Sequence, residues 1–179
     1  MAISVPETFA ICLSFSINFN KIMNIAIVGA TGNVGRKILE VLEKKELAID
    51  NLYLLASSRS AGSKISFNGN ELEVIDLETF DFSKVKITFF AAGGKISENF
   101  AEIAAKYSLV IDNSSFYRMD PDVPLIVTQV NSDHLNNIKK NIIANPNCST
   151  AQLVIALKPL HDLFTVSYTH LTLPTKDSV

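Results

Sequence analysis

Cysteine is scarce: the chain has two, Cys12 and Cys148, far apart and outside any C-x-x-C or His-rich spacing. This argues against a disulfide framework or a zinc site, so no metal is expected and a reducing, cytoplasmic setting fits best. Charge is also sparse. Sixteen basic against eighteen acidic residues leave a net charge of -2, with no basic block and no interleaving of basic and aromatic residues. Neither a nucleic-acid partner nor an anionic membrane surface is expected from such a balance. A long hydrophobic run is missing too. The apolar stretch Phe9 to Phe19 is broken by Ser14, Ser16 and Asn18, has no basic segment before it, and is too short to span a bilayer. Residues 1–22 read as an extension upstream of Met23, which stands directly before a strand pattern, with a signal peptide as the alternative.

What is present alternates between two hydrophobic periods. Asn24 to Val28 is a short apolar run ending at glycine, and Val34 to Leu47 carries Val34, Ile38, Val41 and Leu42 at helical spacing. Leu52 to Ala56 reads as a second buried strand. Ile65 to Val74 reads as a hairpin turning at Asn68-Gly69, the pair that a type I′ turn prefers. Further strands are expected at Lys86 to Ala91, Leu109 to Asp112, Leu125 to Val130 and Asn141 to Ala144, and a helix at Ile96 to Tyr107 with Ser97 as its cap. Ser149 to Phe164 is helical, with Pro159 kinking or dividing it. Strand and helix in alternation imply an α/β fold with a doubly wound, mainly parallel sheet. The length allows one ordinary domain and the start of a second. From Thr165 onward the pattern stops, and residues 165–179 have the character of translated adapter DNA, a non-native tail.

Three glycine- or serine-rich segments fall where strands end. Gly29-Ala30-Thr31-Gly32-Asn33-Val34-Gly35 joins the first strand to the first helix. Glycines there allow a tight turn and a close approach to a pyrophosphate, and the helix start presents free N–H groups to the anion. After the second strand comes Ser57-Ser58-Arg59-Ser60, with no acid to hold ribose hydroxyls. Arginine and hydroxyl donors there point to the 2′-phosphate of NADP rather than to NAD, against the plainer reading of a solvated polar loop. Ala91-Ala92-Gly93-Gly94 is either a second wall of the cofactor crevice or simply a tight turn.

Two more segments carry chemistry. In Asn145-Pro146-Asn147-Cys148-Ser149-Thr150 the cysteine falls at the first turn of a helix, where the dipole and unpaired N–H groups favour a thiolate and an oxyanion. A lone cysteine is more often a small buried hydrophobe, which is how Cys12 reads; the context sets Cys148 apart. Asp112-Asn113-Ser114-Ser115-Phe116-Tyr117-Arg118 ends another strand. Arg118 is suited to a phosphate or carboxylate, or alternatively to a surface ion pair with Asp120 or Asp122.

Taken in order, Gly29 to Gly35, Ser57 to Gly62, Ala91 to Gly94, Asp112 to Arg118 and Asn145 to Thr150 resemble aspartate-semialdehyde dehydrogenase, over essentially Met23 to His161. The resemblance implies a Rossmann-like NADP-binding domain at 23–148, and a catalytic and dimerisation domain of which 149–164 is the first helix. It implies cofactor contacts from Gly29, Thr31, Gly32, Asn33, Val34, Gly35, Ser58, Arg59, Ser60, Ala92 and Gly93. Cys148 would be the acyl-thioester nucleophile, Arg118 would bind phosphate and Asn147 would position the substrate. The implied reaction is NADPH-dependent conversion of aspartyl 4-phosphate to aspartate 4-semialdehyde, an early step towards lysine, threonine, methionine and diaminopimelate. The full-length family forms homodimers or homotetramers. The family's histidine base and its assisting glutamine have no counterpart here, and His134, His161 and His170 do not replace them, so these residues alone are expected to show no turnover. N-acetyl-glutamyl-phosphate reductase shares the chemistry but has glycine where Asn147 stands, and glyceraldehyde-3-phosphate dehydrogenase has an acid where Arg59 follows the second strand. A non-catalytic NADP-binding fragment is the remaining alternative.

Overall fold

The computed structural model describes residues 23–45, 47–164 and 168. The expectations for 1–22, and for 165–179 apart from Tyr168, lie outside the described residues. Among the described residues seven strands form one sheet in the order β3-β4-β2-β1-β5-β6-β7. They are β1 (Met23–Val28), β2 (Ile49–Ala56), β3 (Lys64–Phe67), β4 (Asn70–Asp76), β5 (Ile87–Phe90), β6 (Leu109–Asp112) and β7 (Ile142–Ala144). All pairings are parallel except β3 with β4. The chain leaves β1 towards β2 and β4, then returns to place β5 on the other flank of β1. The order reverses at that point, and the carboxyl ends of the strands part there into a crevice.

Among the described residues the α-helices are α1 (Asn33–Lys44), α2 (Gly94–Ala105), α3 (Thr128–Asn131) and α4 (Cys148–Phe164). Alternation along the central strands divides the core in two. Ile25, Ile27, Leu54, Phe89 and Ile111 face α1, whose Ile38, Leu39 and Leu42 are buried on that side. Ala26, Val28, Leu55, Phe90 and Val110 face α2, which presents the small residues Ala101, Ala104 and Ala105. A sheet covered on both faces needs apolar residues at successive positions, which is why these strands read as unbroken hydrophobic runs.

The hairpin forms as its turn chemistry requires: Asn68 and Gly69 both have positive φ, 49° and 77°, and Phe67 pairs with Asn70 across them. Leu125 to Val130, read as a strand, is not one. Leu125 makes a single bridge to Ala144, after which Asn131 curls the chain. Its Oδ1 accepts from the Val127 N–H at 2.8 Å and its Nδ2 donates to the Leu125 carbonyl at 2.9 Å, using groups a ladder would need. Pro159 does not divide α4, which runs from Cys148 to Phe164 with only Ala151 fully buried. Among the described residues no helix is long and apolar enough to cross a membrane.

Candidate active site

The crevice opens at the end of β1. Gly29 turns the chain with φ +86°, and a side chain there would press 2.8 Å from the carbonyl of Ala91. Gly35 matters more for packing: a Cβ on it would stand 2.2 Å from the Gly29 carbonyl oxygen, so only glycine lets α1 lie against the loop. Gly32 is the N-cap of α1 and supplies no side-chain hydrogen bond, which leaves the first N–H groups to a ligand. Asn33 opens the helix and is exposed, as is Val34, while Thr31 is half-buried on the wall of the crevice.

That crevice has a volume of about 350 Å³ and lies between the ends of β1, β2, β4 and β5. Gly29, Thr31, Gly32 and Ala92 line it. Gly93 has φ +87° and caps α2, so the bend after β5 does require glycine. Ser57 reaches the crevice; Ser58 and Arg59 stand exposed just beyond it, and Ser60 closes a turn by donating its N–H to the Ser57 carbonyl at 2.8 Å. The sequence reading missed Leu77 and Glu78, which line the same crevice from the turn after β4. Asp76, whose side chain accepts from the Glu78 N–H at 3.1 Å, was the available signal of a capped turn at the end of a strand next to β2. Glu78 lines the crevice together with Ser57, so an acid borders the space next to a serine segment that itself contains none.

Across the sheet edge, Asp112 is completely buried at the end of β6. Its Oδ1 accepts from Ser97 Oγ at 2.7 Å and from the Ser114 N–H at 3.0 Å, and its Oδ2 accepts from Ser114 Oγ at 2.7 Å. Ser97 is therefore not the cap of α2. It lies inside the helix, and its hydroxyl is drawn across to β6. Arg118 follows on a short 3-10 turn, Phe116–Met119. Among the described residues it makes no surface ion pair: Asp120 pairs with Lys140 and Asp122 with Lys139. Its Nε donates to the Asn145 carbonyl at 2.9 Å and its Nη2 to the Asn113 carbonyl at 3.3 Å.

Those two carbonyls bring Arg118 beside the cysteine segment. Asn145 is buried, its N–H donates to the Asp112 carbonyl at 2.8 Å, and its Nδ2 donates to Asn113 Oδ1 at 2.5 Å. Asn147 caps α4, its Oδ1 accepting from the Ser149 N–H at 2.9 Å. Cys148 is the first residue of that helix and its thiol is exposed. His134 and His161 are both exposed and neither lines the crevice, and no cluster that could hold a metal ion occurs among the described residues.

A doubly wound sheet with a glycine cradle at its switch point defines a Rossmann-like dinucleotide-binding domain, and an exposed thiol starts a helix further along the same edge. The chain belongs to the semialdehyde dehydrogenase family, whose NAD-binding domain it matches over residues 24–138. It is similar to the aspartate-semialdehyde dehydrogenase of Shewanella sp. strain DB6705, 49% identical over 146 residues, 80% of this chain and 43% of that protein. Among solved structures it resembles aspartate semialdehyde dehydrogenase II of Vibrio cholerae complexed with ASA, with 49% identity and a TM-score of 0.77 over 79% of this chain and 47% of that one. The Candida albicans enzyme with NADP is similar at 28% identity and a TM-score of 0.65, over 80% of this chain and 48% of that one. The chain thus spans less than half the length of these relatives.

Proposed function

We propose that the described residues are the NADP-binding and nucleophile-bearing part of an enzyme that reduces aspartyl 4-phosphate to aspartate 4-semialdehyde. The observation that carries this reading is the convergence on one sheet edge of the glycine cradle, the Arg118 loop and the Cys148 helix start. The crevice fits a dinucleotide, because side chains at Gly29 and Gly35 would collide with the backbone that shapes the cradle and the start of α1 is left uncapped by side chains. Gly29, Thr31, Gly32, Asn33, Val34, Gly35, Ala92 and Gly93 would hold it, with Ser58, Arg59 and Ser60 at the 2′-phosphate. Bound NADPH supplies a hydride.

In this reading Cys148 Sγ attacks the acyl carbon, and phosphate leaves with the electron pair of the broken C–O bond while Arg118 neutralises its charge. With the hydride that bound NADPH would supply, the thioester would be reduced at its acyl carbon, and Cys148 Sγ would recover the electron pair of the C–S bond as the aldehyde leaves. Asn147 commits its side-chain oxygen to the Ser149 N–H, so the helix start offers the amides of Cys148 and Thr150 to a developing oxyanion. Asn147 Nδ2 remains for the substrate. On the same reading residues 149–164 begin a catalytic and dimerisation domain, the whole protein is a cytoplasmic homodimer or homotetramer, and the acid–base group lies outside the described residues.

The test is phosphate-dependent reduction of NADP by aspartate semialdehyde, run on the 179-residue chain and on the polypeptide extended through its genomic reading frame. Turnover is expected only in the extended form, and Cys148→Ser in that form removes it by several orders of magnitude while nucleotide still binds. Turnover by the 179-residue chain would move the base to His134, His161 or His170. Preference for N-acetyl-glutamate semialdehyde would overturn the substrate assignment.

A further inference from the structure

We infer that Asp112 is a positioning residue for the anion site, holding the loop from Asn113 to Arg118 so that the guanidinium stays against the cysteine segment. The inference rests on Arg118 being the phosphate ligand. Asp112 touches none of the groups assigned to substrate or cofactor, yet it is a fully buried carboxylate at the end of a strand whose other residues, Leu109, Val110 and Ile111, are apolar. Three donors converge on it: the Ser97 hydroxyl, the Ser114 N–H and the Ser114 hydroxyl. Only an acceptor with two oxygens satisfies all three, and that is what a carboxylate offers and an amide does not.

The donors come from two directions. Ser97 sits in the first turns of α2, the helix that Gly93 opens on the cofactor side. Ser114 begins the loop to Arg118, and its Oγ also accepts from the Phe116 N–H at 3.1 Å, passing the constraint on to the turn that carries the arginine. The main chain of Asp112 completes the frame, since its carbonyl takes the Asn145 N–H while the Asn145 carbonyl takes Arg118 Nε. Asp112 therefore joins the helix behind the cofactor bend, the arginine and the segment leading to the thiol.

An asparagine at this position must turn its amide towards one of the donors. The Ser97 and Ser114 N–H sites both need an oxygen, so the amide goes to the Ser114 hydroxyl, which is buried, already accepts from Phe116, and loses the acceptor for its own proton. The loop to Arg118 then has to shift. Nothing in the crevice near Gly29 is touched, so nucleotide binding should be spared.

The experiment alkylates the 179-residue chain with iodoacetamide and follows labelling of Cys148 by mass spectrometry as inorganic phosphate is raised, with chloride at matched ionic strength as the control. Phosphate is expected to protect Cys148 in the unaltered chain, and Asp112→Asn is expected to weaken that protection about tenfold. Ser108→Ala serves as a stability reference, because it breaks the buried Thr88–Ser108 hydrogen bond of 2.8 Å at the opposite end of the strands. It should lower the melting temperature and leave phosphate protection unchanged. If Asp112→Asn lowers the melting temperature and leaves protection as it was, Asp112 only supports the fold and the inference fails. If phosphate does not protect the unaltered chain, the assignment of Arg118 fails, a result that the first comparison identifies on its own.

Discussion

The two halves of the carboxyl edge are built by opposite means. Around β1 and β5 the crevice is made by leaving side chains out: Gly29, Gly35 and Gly93 allow conformations and approaches that a Cβ would block. Around β6 and β7 the edge is made by putting polar side chains in, with Asp112, Ser114, Asn145 and Arg118 each committed to named partners. A pyrophosphate needs several N–H donors at close range, which glycine and a bare helix start provide. On the proposed reading the exposed Cys148 thiol and Arg118 must be held in register, which the side-chain hydrogen bonds behind them provide.

The comparison breaks most visibly at Gly35. Gly35→Ala places a methyl group 2.2 Å from a backbone oxygen, so α1 must move off the sheet. A loss of about 3 kcal/mol or more in denaturant-measured stability is expected, together with loss of nucleotide binding. A stable variant that still binds nucleotide would show that close packing at this glycine is not what makes the site.

On the other half the expected effect is smaller and more local. Asn147→Ala removes the cap of α4 and should cost about 1 kcal/mol, whereas Asn147→Asp keeps a cap acceptor and should cost far less. Equal losses in the two variants would mean that the capping bond contributes little. Cys148 alkylation in both variants separates the cap from any role of the Asn147 amide.

The smallest effect at neutral pH belongs to Tyr117, which packs under the Arg118 turn and is 2% exposed. Burial, followed by the nearby carboxylates of Glu102 and Asp112, pushes its phenol up to about 12. A group whose folded value is raised contributes stability that is complete below its ordinary value near 10 and is lost as pH rises towards 12. Stability measured between pH 9 and about 12 should therefore fall in the unaltered chain. In Tyr117→Phe that part of the fall should be absent, and an identical alkaline profile would contradict it.

Legibility in the sequence follows the same divide. Glycine loops and the Asn68-Gly69 turn are local devices, so spacing alone located them. Cys148 was legible because strand, proline and helix start all lie within a few residues of it. What could not be read were partnerships across the chain. Ser97 looked like a cap because serine usually acts locally, but its hydroxyl goes to Asp112, fifteen residues away. Leu125 to Val130 has strand composition, and the side chain of Asn131 overrides it by taking the backbone groups at Leu125 and Val127. Glu78 escaped notice because its place in the crevice depends on β4 lying next to β2 in the sheet.

The measurement that bears most directly on the cofactor assignment is calorimetric titration of the chain with NADPH and with NADH, repeated on Arg59→Ala. Tighter binding of NADPH is predicted, with a loss of about 1.5 to 3 kcal/mol for NADPH alone when Arg59 is removed. Equal affinities for the two nucleotides, or a preference that survives Arg59→Ala, would contradict the assignment of the serine-arginine loop to the 2′-phosphate.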